Sequence, residues 1–202
     1  SEGNNTFEIQ TKNTLGKLSA KKIITIVKDT LAPTGSIDIN SGAGYTNSRD
    51  VTLNLSGDDG SGSGVVKMSF STDNSTWTSQ ENYATSKTFT LPTGDGVKTV
   101  YVKFYDKAGN ASEVYSKSIT VDTAAPSGAI DINSGATYTT SADVTLTLSG
   151  DDGTGSGVAK MSFSTDNTNW TAQEDYATSK IFTLPSPDGG KTVYVRYYDK
   201  AG

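Results

Sequence analysis

The chain has 202 residues, room for about two domains of ~100 residues each. It has no His and no Cys, which removes the usual acid–base residue, the commonest transition-metal ligand, thiolate nucleophiles, disulfides and zinc sites of the cysteine type. A formal charge of −5 argues against a nucleic-acid partner, and no stretch approaches the ~20 apolar residues of a membrane-spanning helix.

Short runs of Val, Ile, Leu, Phe and Tyr alternate with Thr, Ser, Gly, Asn and Asp, and no window has helical periodicity, so the chain reads as all-β. Residues 33–109 align with 126–202 without a gap, and 59 of the 77 pairs are identical. That period is too long for a solenoid unit and suits a self-sufficient sandwich of seven strands in Greek-key order. At the same offset, Phe7 and Ile9 fall on Val100 and Val102, Gly16 on Gly109, Ser19 on Ser112 and Ile26 on Ile119. Residues 1–28 are therefore expected to be the last two strands of a preceding, diverged domain. Repeat 1 is expected over 29–121 and repeat 2 over 122–202, the latter without its last strand.

In chain order, the first joint is Asp29-Thr30-Leu31-Ala32-Pro33, where Pro breaks the ladder because it has no N–H. Strands are predicted at 35–39 (Ile37 and Ile39 inward), 51–56 (Val51, Leu53, Leu55), 65–71 (Met68, Phe70), a short one carrying Trp77, 87–91 (Phe89, Leu91), 98–105 (Val100, Val102, Phe104) and 114–121 (Tyr115, Ile119, Val121). A glycine-rich loop spans 57–64, and Asp106-Lys107-Ala108-Gly109-Asn110 turns the chain into the last strand. The joint recurs as Val121-Asp122-Thr123-Ala124-Ala125-Pro126. The inward rows then recur at Ile130, Ile132, Val144, Leu146, Leu148, Met161, Phe163, Phe182, Leu184, Val193, Val195 and Tyr197.

Together "VDTAAP", "GDDGSGSGV", "MSFSTDNSTWT" and "GVKTVYVKFYDKAGN" resemble the tandem bacterial immunoglobulin-like domains of large secreted and cell-surface repeat proteins and adhesins. The resemblance covers nearly the whole chain. It implies an extended rod of immunoglobulin-like sandwiches outside the cell, acting as a stalk or adhesive segment whose partners are neighbouring domains of the same array. Some such modules carry calcium between domains. The sequence departs from the pattern at Asn13, which stands where Asp106 stands in the full copy.

In a seven-strand sandwich the approach to the first strand, the loop after the second and the turn before the last share one pole. That gathers Asp29, Asp58, Asp59 and Asp106 in one copy, and Asp122, Asp151, Asp152 and Asp199 in the other. Calcium takes six to eight oxygen ligands at about 2.3–2.6 Å, which carboxylates and loop carbonyls supply. Without a cation, four such acids would repel and raise one another's pKa values. The other reading is that these Asp residues only begin turns.

A second candidate set is aromatic: Trp77, Tyr83, Tyr101 and Tyr105, recurring as Trp170, Tyr176, Tyr194 and Tyr198. These rings are either platforms for surface glycans or covers for the sandwich edge. Adjacent acids on a flexible loop do not face each other across a cleft as glycosidase carboxylates do, so the chain is read as no enzyme. The leading expectation is a non-catalytic stalk stiffened at its joints by calcium. Its alternatives are a carbohydrate-binding accessory module of a secreted enzyme, and a filament subunit in which Ile23, Ile24 and Ile26 of one copy donate a strand to another.

Overall fold

Alternation of apolar and polar side chains produces strands that bury one face, and among the described residues 16 strands form. The structure is a computed structural model describing residues 2–202. Strands β1 (Gly3–Ile9) and β2 (Lys22–Lys28) pair as an antiparallel ribbon with Phe7 opposite Ile24. Ile23, Ile24 and Ile26 lie in β2 with half or more of their surface exposed. The turn between the two strands is held by Asn13, whose Oδ1 accepts the N–H groups of Leu15 and Lys17.

There follow β3 (Thr34–Ile39), β4 (Tyr45–Thr46), β5 (Asp50–Asp58), β6 (Val65–Ser71), β7 (Glu81–Asn82), β8 (Ser86–Thr90), β9 (Gly96–Asp106) and β10 (Tyr115–Val121). They form two sheets, ordered β3-β5-β8 and β4-β10-β9-β6-β7. The second copy gives β11 (Ser127–Ile132), β12 (Asp143–Asp151), β13 (Val158–Ser164), β14 (Glu174–Asp175), β15 (Ser179–Thr183) and β16 (Tyr194–Asp199), in sheets β11-β12-β15 and β14-β13-β16. The chain is an all-β, immunoglobulin-like sandwich protein, and among the described residues no helix is long and apolar enough to cross a membrane.

The chain divides into two compact units. The first takes residues up to Gly42 with Asp50–Pro92 and Thr99–Ser118. Its buried rows are Ile37 and Ile39, Val51, Leu53 and Leu55, Met68 and Phe70, and Val100, Val102 and Phe104, the inward sets expected from the alternation. Phe70 and Phe89 meet across the sheets with ring centroids 5.8 Å apart. Gly35 is fixed by Phe104: any Cβ there would run into its ring and the Ser56 carbonyl. The second unit takes Ala43–Arg49, Thr93–Lys98 and Ile119–Gly202. Its core is Val144, Leu146, Leu148, Met161, Phe163 and Val193, with Phe182 and Tyr197 packed against it.

Two local predictions differ from the structure. Trp77 is not on a strand; Thr78 instead clips the segment to β6, its N–H donating to the Phe70 carbonyl at 2.8 Å and its hydroxyl accepting the Phe70 N–H at 3.0 Å. The short edge strand is β7, two residues opposite Lys67 and Met68. The stretch 40–44 also does more than turn: it leads into β4, which pairs in parallel with the end of β10. The counterpart Tyr138–Thr139 forms no strand, and Tyr138 is exposed.

The turn after β6 is set by one carboxylate. Asp73 Oδ1 accepts the N–H groups of Ser75 (2.8 Å) and Thr76 (2.7 Å) and the Ser71 hydroxyl, while Asn74 takes a positive φ of 58°. Asp166 repeats this with Thr168, Asn169 and Ser164. The Thr76 and Ser75 N–H groups hold Asp73 far below the ordinary carboxylate value, and the Asn169 side chain and N–H do the same for Asp166. A depressed carboxyl contributes stability above the unfolded-state value, about 3.9, that is lost as pH falls toward the folded value. The melting temperature, followed by circular dichroism, should therefore fall as pH drops below about 4. The double variant Asp73→Asn/Asp166→Asn should melt lower at pH 7 and show a flatter acid limb.

Candidate metal centres

Strand parity decides which acids turn inward. Along β5 the buried row Val51, Leu53, Leu55 continues through Gly57 to Asp59; along β9 the row Val100, Val102, Phe104 ends on Asp106. Both carboxylates are buried, with 8% and 3% of their surface exposed. Asp29, which opens the stretch after β2, joins them, and one ligand oxygen from each of the three lies within 4.8 Å of the others. The second unit repeats the arrangement with Asp122, Asp152 and Asp199, at the corresponding ends of β10, β12 and β16.

Asp58 and Asp151 do not join these clusters. They have the opposite parity, remain exposed, and each accepts the N–H two residues on, from Gly60 at 3.0 Å and Gly153 at 2.9 Å. They are turn formers, so each expected quartet is a trio.

Backbone donors surround the trios. Asp29 Oδ2 accepts the Ser63 N–H at 2.6 Å, and Asp122 Oδ2 the Ser156 N–H at 2.5 Å. Asp59 Oδ2 takes the Gly64 N–H at 2.7 Å, and Asp152 Oδ2 the Gly157 N–H at 2.6 Å. Asp106 Oδ1 accepts the N–H groups of Gly109 and Asn110, and its Oδ2 the Asn110 side-chain amide at 2.8 Å. Asp199 Oδ1 accepts from Ala201 and Gly202, both at 2.8 Å. Ser63, by its hydroxyl first and then its N–H, holds the Asp29 carboxyl below its ordinary value, and Ser156 does the same for Asp122. For these two acids the donors outweigh the cost of burial, and the carboxyls are lowered rather than raised as expected from the sequence.

One oxygen in each trio is left over. Asp59 Oδ1 and Asp152 Oδ1 are buried and have no hydrogen-bond partner. A buried carboxylate oxygen without a donor, on a residue clustered with two further carboxylates, has the charge and donor chemistry of a hard cation ligand. The residues present therefore fit an oxygen-coordinated divalent ion.

The loop also needs glycine at one defined place. A Cβ on Gly62 would collide with the Asp59 carboxylate; on Gly155 it would come 2.5 Å from Asp152 Oδ2 and 2.8 Å from Asp122 Oδ2. The glycine three residues after each inward Asp lets the loop close over the carboxylates. Sequence reasoning missed this, as it missed Ser63 and Ser156 as donors, although the Gly-X-Gly spacing of both loops carried the signal.

Six of the eight residues of the aromatic set make packing or hydrogen-bond contacts. Tyr83 and Tyr176 accept the N–H groups of Gly57 and Gly150 at 2.8 Å, with rings edge-on to Phe104 and Tyr197. Tyr105 and Tyr198 hydroxyls pair with Ser69 and Ser162 at 3.0 Å. Lys103 covers one face of Trp77, 4.6 Å from the ring centre, and Arg196 one face of Trp170 at 4.0 Å. Tyr101 is half-buried and Tyr194 is exposed.

Gly155→Ala should lower the melting temperature in calorimetry, at a cost of about 1–3 kcal/mol typical of overpacking. Gly190→Ala, where a Cβ meets nothing within 4 Å, should change stability by less than about 0.5 kcal/mol.

The sequence profile of the bacterial Ig-like domain matches residues 16–123. None of the curated proteins matches the chain. Among solved structures, the fibronectin(III)-like modules of Clostridium thermocellum CbhA superpose with a TM-score of 0.51 at 14% identity, over 82% of this chain and 86% of theirs. At that identity the likeness is one of fold. A Ca2+-stabilized adhesin that helps an Antarctic bacterium bind ice matches over 98% of this chain and 56% of its own, at 14% identity and a TM-score of 0.42. A tetra-tandem repeat from the extending region of a large adhesion protein matches over 100% and 54%, at 18% identity and a TM-score of 0.34. The sandwich, its strand order and the profile over more than half the residues agree: the chain belongs to the bacterial Ig-like domain family.

Proposed function

We propose that the chain is a non-catalytic structural segment of an extracellular bacterial surface protein. Repeats over 29–121 and 122–202 serve as spacers, and each is stiffened where it begins by a calcium ion. The observation that carries this reading is the unpartnered, buried Oδ1 of Asp59 and of Asp152, each on a member of a three-carboxylate cluster that recurs in both copies. Asp29, Asp59 and Asp106 would hold one ion, and Asp122, Asp152 and Asp199 the other. When bound, the ion would neutralise the carboxylate charge and give three separate segments a common coordination centre. Calcium modules outside cells work at affinities of about 10⁻⁴–10⁻³ M, which suits a site of three carboxylates filled out by carbonyls and water.

The turn at Asn13 supports reading residues 1–28 as the end of a further, diverged repeat. Its amide oxygen accepts two N–H groups as Asp106 Oδ1 does, so the turn is kept while the charge is lost. That repeat has the turn without the ligand. The absence of His and Cys, and the engagement of the trio carboxylates by backbone N–H groups, support a structural rather than a chemical role.

A ligand that binds only the folded state stabilises it by about 2.7 kcal/mol at a hundredfold excess over Kd. Calcium should therefore raise the melting temperature relative to chelator, and the double variant Asp59→Asn/Asp152→Asn should lose most of that rise. Identical melts in calcium and chelator would refute the ion. A compact particle in small-angle scattering would refute the spacer.

A further inference from the structure

The dipeptide Asp-Thr occurs at residues 29–30 and again at 122–123. Its aspartates point forward in the chain, to the N–H groups of Ser63 and Ser156. Its threonines point back. The Thr123 N–H and Oγ1 both donate to the Asp95 carboxylate, at 3.3 Å for the N–H and at 3.0 and 3.3 Å for the hydroxyl. The Thr30 N–H and Oγ1 both donate to the Glu2 carboxylate, at 3.2 and 2.5 Å. In both cases the acid stands 28 residues before the threonine. The two acids are thus the same position of the repeat, filled once by Glu and once by Asp.

Neighbouring residues on extended backbone present their side chains to opposite sides, so an Asp-Thr step reaches two ways at once. The acids are themselves held. Lys28 Nζ pairs with Glu2 at 3.0 Å. Asp95 lies in a turn whose Thr93 and Asp95 carbonyls accept from Lys98 Nζ. Beyond each threonine the segment ends on a proline, Pro33 or Pro126, which offers no N–H of its own.

We propose that each Asp-Thr step is a two-way latch: the Asp is pinned to the loop that follows it, the Thr to the acid 28 residues before it, and the segments 29–33 and 122–126 are ordered by this latch without any bound ion. The latch deepens the spacer reading and rests on it for its purpose. It makes Glu2 and Asp95 positioning residues for the stretches that carry Asp29 and Asp122.

The test is amide hydrogen exchange and heteronuclear NOE measurement on the full chain in chelator. In Asp95→Ala, exchange at the Thr123 amide should rise about tenfold, the change expected when a hydrogen bond to a charged group is lost. The NOE at Ala124 and Ala125 should fall, while the Thr30 amide stays as it was. Glu2→Ala should give the mirror result, with Thr30 released and Thr123 unchanged. Melting curves of both variants check that they fold, and Thr123→Val, which removes only the hydroxyl, should give a smaller effect of the same sign. Exchange at Thr123 within twofold of the starting protein in Asp95→Ala, or low NOE values at 124–125 before any substitution, would overturn the latch. A failure of the calcium reading appears elsewhere, as identical melts with and without calcium whatever the exchange result.

Discussion

Three carboxylates within 4.8 Å of one another, two of them buried, form the constraint that the surrounding structure answers. Two unit charges about 5 Å apart repel by roughly 3 kcal/mol at an effective dielectric near 20. Asp59 and Asp106 stand in that relation, and local backbone is arranged around it. The loop 57–64 closes so that the Gly64 N–H reaches Asp59, and the turn 106–110 folds back so that two N–H groups and the Asn110 amide reach Asp106. Gly62 exists to permit that closure, because any side chain there would occupy the space of the carboxylate. The second copy meets the same constraint with Ser156, Gly157 and Gly155.

The sheets contribute by counting. An inward row has period two, so once Leu53 and Leu55, or Val102 and Phe104, face the core, the polar residue closing the row must face the same way. At the middle of a sandwich that residue would be buried without donors. At its end it meets loop N–H groups, which is why the inward acids stand just past β5, at Asp59, and at the last residue of β9, Asp106. The hydrophobic rows thus place the site as well as stabilise the fold.

Strand rows, the repeat and the gathering of acids could be read from the sequence, because alternation and a gapless copy are local signals. The choice between Asp58 and Asp59 was also within reach, since carrying the Val51–Leu55 parity four residues further selects Asp59. What could not be read was the role of Thr30 and Thr123. Their partners are 28 residues away: Glu2 just ahead of β1, and Asp95 in a turn held by positive-φ glycines and the Lys98 side chain. Tyr83 was equally opaque: an outward-looking aromatic in the sequence becomes, through one hydroxyl on the Gly57 N–H, part of the wall of the sandwich. The Trp side chains look like free platforms until the cations at 103 and 196 are placed over them.

The short strand β4 runs parallel to the end of β10, joined by the Thr120 N–H to the Gly44 carbonyl and the Asp122 N–H to the Thr46 carbonyl, each at 3.0 Å. β4 lies soon after the chain enters the repeat, and β10 is the last strand before it leaves. Tension along the chain therefore draws these two strands in opposite directions along their own length. Because they are parallel, their hydrogen bonds lie side by side across that pull and share the load, whereas an antiparallel ribbon such as β1–β2, pulled from its open end, parts one bond at a time. Two bonds that must fail together set a higher barrier than the same two in series, and forced unfolding is governed by that barrier rather than by equilibrium stability. The parallel clasp of β4 on β10 would therefore resist a pull applied along the two strands more than an antiparallel ribbon of the same length would.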